Sequence, residues 1–202
     1  MRRGISVLAL LCGLAASAAA QDASLTVTLQ NGVPRVQAAD LLANGKFIGL
    51  MRSGFPLRLH YRLEVWRTRS SWFDDHINET AWDAVAHYDP LADDFVFVRS
   101  GGTSARYARV EALAQAMQLP YKVTLSPKAT GSFYYLCRLE VSTLNDTDLQ
   151  EVEQWLKGEV TPAVSGRGDL TNAMVRGAQR LLVRIAGLPR LTLEARSEAF
   201  RR

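Results

Sequence analysis

Residues 57–66 alternate without interruption: Leu57, Leu59, Tyr61, Leu63 and Val65 are apolar, and Arg58, His60, Arg62, Glu64 and Trp66 fall between them. Successive side chains of an extended chain point to opposite sides, so this period of two describes a strand with one face in a core and the other in water. A half-buried strand does not stand alone. It needs hydrogen-bonded neighbours along its edges and a second layer over its apolar face.

The flanking segments supply both. Leu25, Val27 and Leu29 alternate with Thr26, Thr28 and Gln30 before Asn31-Gly32 leads into a second extended run; Asn-Gly provides the positive φ angles of a type I′ turn, which makes this a hairpin. Phe47, Ile48, Leu50 and Met51 have helical spacing, stopped by Gly54 and Pro56. Trp82, Ala84, Ala86 and Tyr88 alternate again, and a turn from Asp89 to Asp93 leads to a β-rich run at 95–98. Val110, Leu113, Ala114 and Met117 predict a helix ended by Pro120, with a strand over 121–125 after it. A long strand follows at 133–142, with Phe133, Tyr135, Cys137, Leu139 and Val141 inward, so Cys137 is expected to be a buried, inert thiol.

The C-terminal quarter has a different pattern. Thr147 and Gln150 form a capping box ahead of the stripe Leu149, Val152 and Leu156, and Asp169 can cap a longer helix over 170–186. Leu191 and Leu193 alternate with polar neighbours and predict a last short strand. Half-buried strands joined by hairpins predict a mainly β domain with flanking helices, in an antiparallel β-sandwich-like arrangement. The alternative is an α+β domain, a single antiparallel sheet with helices on one face.

Arg2 and Arg3 precede an apolar run that ends in Ala18-Ala19-Ala20. This charge, apolar and small-residue order is that of a secretory signal peptide, which divides the chain into a signal at 1–20 and a single β-rich domain with C-terminal helices at 21–202. The implied location is periplasmic or secreted. Removing Arg2 and Arg3 brings the formal charge of +4 nearer to neutral, and composition makes no case for nucleic acid as a partner. Cys12 leaves with the signal, so Cys137 has no partner for an intramolecular disulfide.

The run from Gly54 through Pro56 to Trp66-Arg67, then Trp72-Phe73-Asp74-Asp75, then Tyr88-Asp89-Pro90-Leu91, resembles a bacterial family of exported proteins, domain of unknown function 4390. The resemblance spans roughly residues 38–125. It implies a bacterial envelope location and a defined fold, and it carries no activity, cofactor or catalytic residue.

The search for a reaction centre yields little. His60, His76 and His87 are the only histidines, and the densest ligand-type cluster is Asp74, Asp75 and His76, with His87 and Asp89 across a turn. Adjacent residues of a strand point to opposite faces, so at most some of these could share an ion, and no metal or other cofactor is assigned. There is no Gly-x-Ser-x-Gly elbow and no Gly-rich phosphate loop before a helix. The expectation is a non-catalytic binding module; the alternative is a hydrolase or metal-dependent enzyme using Asp74, Asp75 and His76. Two surfaces are candidates for binding. One is the charged-aromatic face of Arg58, His60, Arg62 and Trp66, facing an envelope protein or a cell-wall polymer. The other is the row Arg176, Arg180 and Arg184, spaced four apart on the predicted helix, which suits weak peripheral contact with an anionic membrane. Export is directly testable: N-terminal sequencing of the mature protein is expected to begin at Gln21, and a mature form retaining Met1 contradicts the signal assignment.

Overall fold

The computed structural model describes residues 22–69, 73–143 and 188–202. The segment read as a signal and the helices expected over 147–158 and 170–186, with Arg176, Arg180 and Arg184, lie outside the described residues.

Strands β1 (Ser24–Gln30) and β2 (Val33–Ala39) form the first hairpin. Its turn places Asn31 at φ 53° and Gly32 at φ 76°, the two left-handed positions of a type I′ turn. Helix α1 (Lys46–Arg52) follows, then β3 (Leu57–Arg67), the long β4 (Asp75–Asp89), β5 (Asp94–Val98), β6 (Ser104–Tyr107), helix α2 (Val110–Met117), the two-residue β7 (Tyr121–Lys122) and β8 (Ser132–Ser142). The chain ends with β9 (Leu191–Arg196) and β10 (Phe200–Arg201). A three-stranded sheet has the order β1-β2-β7, and a seven-stranded sheet has the order β10-β8-β3-β4-β5-β6, with β9 also on β8. All pairings among the described residues are antiparallel. The molecule is therefore mainly β with flanking helices.

Strand β3 is paired along both edges, by β4 and by β8. Its residues Leu57, Leu59, Tyr61, Leu63 and Val65 are all 0 % exposed, and Phe133, Tyr135, Cys137, Leu139 and Val141 of β8 are 0–1 % exposed beside them. Burying each large apolar side chain contributes roughly 1.5–3 kcal/mol. The cover comes from three sources that join one hydrophobic cluster: Val27, Val36 and Ala38 of the small sheet, Phe47 and Met51 of α1, and Leu113, Ala116 and Met117 of α2. β1 lies against β8 and β9, α1 against β3 and β4, and α2 against β5 and β6. The Arg99 guanidinium donates to the carbonyls of Ala116 and Leu119, satisfying the C-terminal end of α2, and lies 4.2 Å from the Tyr121 ring.

Three elements depart from the pattern read in the sequence. β4 begins at Asp75, well before the alternation that starts at Trp82. Only Tyr121–Lys122 of the strand expected over 121–125 joins a ladder, after which the Val123 N–H bonds to the Pro34 carbonyl and the chain leaves the sheet. β6 was not anticipated, because Ser104–Tyr107 is largely exposed and has no apolar stripe. At the far edge, β9 and β10 are interrupted at Ser197, whose hydroxyl accepts from the Tyr135 N–H at 2.9 Å while its own N–H donates to the Tyr135 carbonyl.

Cys137 is fully buried, and burial pushes its thiol up to about 12, which makes it a poor nucleophile, as expected from its inward position. Two buried tyrosines differ in a way that stability can read. The Tyr135 hydroxyl donates to the Leu125 carbonyl at 2.6 Å, whereas the buried Tyr61 hydroxyl has no hydrogen-bond partner and its ring stacks on Trp82 with centroids 5.1 Å apart. Tyr135→Phe is expected to lower stability by about 1–3 kcal/mol, and Tyr61→Phe to leave it unchanged or raise it, because only the first change orphans a buried carbonyl. Urea unfolding of both variants checks the difference; equal losses would contradict it.

Candidate functional site

The side of β3 turned away from the core carries Arg58, His60, Arg62, Glu64 and Trp66, and the register arranges their neighbours in rows. Asp83, His60 and Glu140 form one row, then Ala81, Arg62 and Arg138, then Glu79, Glu64 and Leu136, then His76, Trp66 and Tyr134. β9 extends the first three with Thr192, Glu194 and Arg196. Directly opposed residues of neighbouring strands are close enough to interact. His60 Nδ1 lies 2.8 Å from Asp83 Oδ1, Arg138 donates to Glu194 at 3.0 Å, and the Arg196 guanidinium sits 3.5 Å from the centre of the Tyr134 ring. Arg58 does not offer its full guanidinium outward: its Nε is buried and has no partner.

His76 reaches this face through a local irregularity. Asn78 pairs with Val65 and His76 with Trp66, so the register shifts by one residue and Ile77 is extra. Uninterrupted alternation would put His76 on the same side as Asn78, Thr80 and Trp82; the β-bulge turns it to the side of Glu64 and Glu79. Ligand-type atoms of Glu64, His76 and Glu79 then lie within 4.8 Å of one another, with His76 Nε2 and Glu79 Oε2 3.6 Å apart. The Trp66 indole N–H donates to Glu64 Oε2 at 2.8 Å, and its ring meets the His76 imidazole edge-on with centroids 5.2 Å apart. Arg62 approaches Glu79 to 4.0 Å.

The cluster anticipated from sequence is dispersed. Asp74 accepts from the Arg69 N–H and from the Tyr134 hydroxyl, and Asp75 pairs with the Arg69 side chain. Among the described residues, the one group of three or more ligand-type side chains that converges is Glu64, His76 and Glu79, which contains neither aspartate. His87 and Asp89 lie eleven or more residues further along β4 than His76, at ~3.3 Å per residue more than 30 Å away. Asp89 is committed elsewhere: with Asp94 it receives the Arg106 guanidinium, at 3.1 and 2.9 Å. Glu64 and Glu79 were missed as partners of His76 because a bulge has no sequence signature in this polar stretch.

The family model described as Domain of unknown function (DUF4390) matches residues 17–141. The chain belongs to this family. The match takes in the first hairpin, β3, β4 and nearly all of β8, and with them Glu64, Trp66, His76 and Glu79. Neither the curated proteins nor the solved structures contain a match to the chain.

The Arg106 hydrogen bond, together with the Leu91 N–H, holds the Asp89 carboxyl below the usual carboxylate range. Because the folded-state value is depressed, the stabilisation is complete above the ordinary value of about 4 and is lost as pH falls through the lower folded value. Between about pH 6 and about pH 3 the native protein is therefore expected to lose more stability than an Arg106→Gln variant. Urea unfolding at both pH values checks this; parallel losses would remove the ion pair as the cause.

Proposed function

We propose that this chain is an exported cell-envelope protein that acts by binding, through the outer face of β3, β4 and β8, and not by catalysis. Export is supported by the order of Arg2-Arg3, the apolar run and Ala18-Ala19-Ala20. Binding is supported above all by one feature of the outer face: Arg62 and Arg138 stand directly opposite each other on β3 and β8. Like charges in that position weaken a sheet. Arg138 is balanced by Glu194 at 3.0 Å, whereas among the described residues the nearest carboxylate to Arg62 is Glu79 at 4.0 Å. A cation at the middle of the sheet, with His60 on one side of it along β3 and Glu64 and then the half-buried Trp66 on the other, suits an anionic envelope protein or cell-wall polymer. The binding reading is favoured over the alternative of a hydrolase or metal-dependent enzyme using Asp74, Asp75 and His76 by the engagement of Asp74 with Tyr134 and of Asp75 with Arg69.

The test is affinity capture of the mature protein from its native envelope, run in parallel with the Arg62→Glu/Arg138→Glu double variant. The expected result is an envelope component retained by the native protein and lost with the variant, with thermal melts showing both folded. Equal recovery by the two proteins would sink the assignment to this face. A mature protein found in the cytoplasm would sink the export reading.

A further inference from the structure

From the way β3 and β4 present Glu64, His76 and Glu79 on one face, we infer a binding site for a divalent first-row transition-metal ion, of which zinc is the working example. The inference does not depend on the binding role proposed for Arg62 and Arg138.

Four observations carry it. The three side chains come from two paired strands and their ligand-type atoms lie within 4.8 Å of one another. Tetrahedral ligands held ~2.1 Å from zinc are ~3.4 Å apart, and His76 Nε2 and Glu79 Oε2 already stand at 3.6 Å. Glu79 and His76, 47 % and 41 % exposed, have room to rotate toward the half-buried Glu64 and close the remaining distance. His76 belongs to the set solely because of the β-bulge at Ile77, and bulges commonly re-aim a side chain next to a functional site.

The third observation is electrostatic. Glu64 and Glu79 are directly opposed in the ladder, and like charges in that arrangement destabilise a sheet. Arg62 approaches Glu79 no closer than 4.0 Å. An ion bridging the two carboxylates turns the repulsion into two favourable contacts. The fourth is the support around the ligands. The Trp66 indole fixes one oxygen of Glu64 while its ring packs on the His76 imidazole, the kind of outer contact that orients metal ligands. A carboxylate offers two oxygens, so the indole bond and a metal can share Glu64.

Donor chemistry narrows the ion. An imidazole with two carboxylates suits zinc and its first-row neighbours, whereas magnesium and calcium favour all-oxygen shells. Three protein ligands leave positions for water or for a group of a bound partner.

The experiment titrates zinc chloride into the untagged mature protein, following heat by calorimetry and tryptophan emission in parallel. One-to-one saturable binding is expected, with an emission change that disappears in Trp66→Phe. His76→Asn, Glu79→Gln and Glu64→Gln are each expected to weaken zinc by at least about 10-fold. His60→Asn and Asp83→Asn, a pair on the same face but outside the set, are expected to leave it unchanged, and magnesium to give no response. All substitutions are on the outer face of the sheet, Glu64 and Trp66 being half-buried there, and melting curves confirm folding. Three results would overturn the site: no saturable zinc binding, full binding by the His76→Asn/Glu79→Gln double variant, or equal loss in His60→Asn.

Discussion

Burial of the inner face of β3 is the constraint on which the rest of the molecule depends. Five consecutive inward residues of this strand are fully buried, and the strand is hydrogen-bonded along both edges, so it has no free side except the outer face. Removing that much apolar surface from water requires cover, and the first hairpin, α1 and α2 each contribute residues to the same cluster. A sandwich-like pairing of two sheets and a sheet with helices on one side therefore coexist here, because the small sheet is too narrow to cover seven strands and the helices join the same core.

The same constraint frees the opposite face. With β3 locked in register by two neighbours, its outward residues are held at fixed spacing, and their contacts are set by the ladder more than by side-chain preference. That is why His60 meets Asp83, and why Arg62 faces Arg138. Two rows place like charges side by side, Arg62 with Arg138 and Glu64 with Glu79. Each such pair works against sheet stability, and each has a counter-charge nearby, Glu194 beside Arg138 and Arg62 with His76 beside Glu79. The proposed outside anion for the first and the inferred metal ion for the second would add to that compensation.

The bulge in β4 shows how a small irregularity changes chemistry. One extra residue, Ile77, reverses the side on which every residue before it in the strand emerges. The imidazole of His76 thereby leaves the side of Asn78 and Thr80 and joins two carboxylates and an indole.

Periodicity and turn chemistry in the chain by themselves determined the first hairpin, the helices α1 and α2, and the strands β3 and β8 with their inward faces, including the buried Cys137. These rest on local rules: alternation requires opposite faces, Asn31-Gly32 supplies two positive φ angles, and Pro56 and Pro120 end what precedes them. The DUF4390 resemblance was also legible, and the family match extends it over residues 17–141. Tertiary structure alone decided the partners. Asp74, Asp75 and His76 are neighbours in sequence, yet they separate toward Tyr134, Arg69 and the Glu64–Glu79 pair. Asp89, near His87 in sequence, is taken by Arg106 from another strand. Which strands pair, and where a register slips by one residue, depends on contacts between residues far apart in the chain, and no local pattern encodes them.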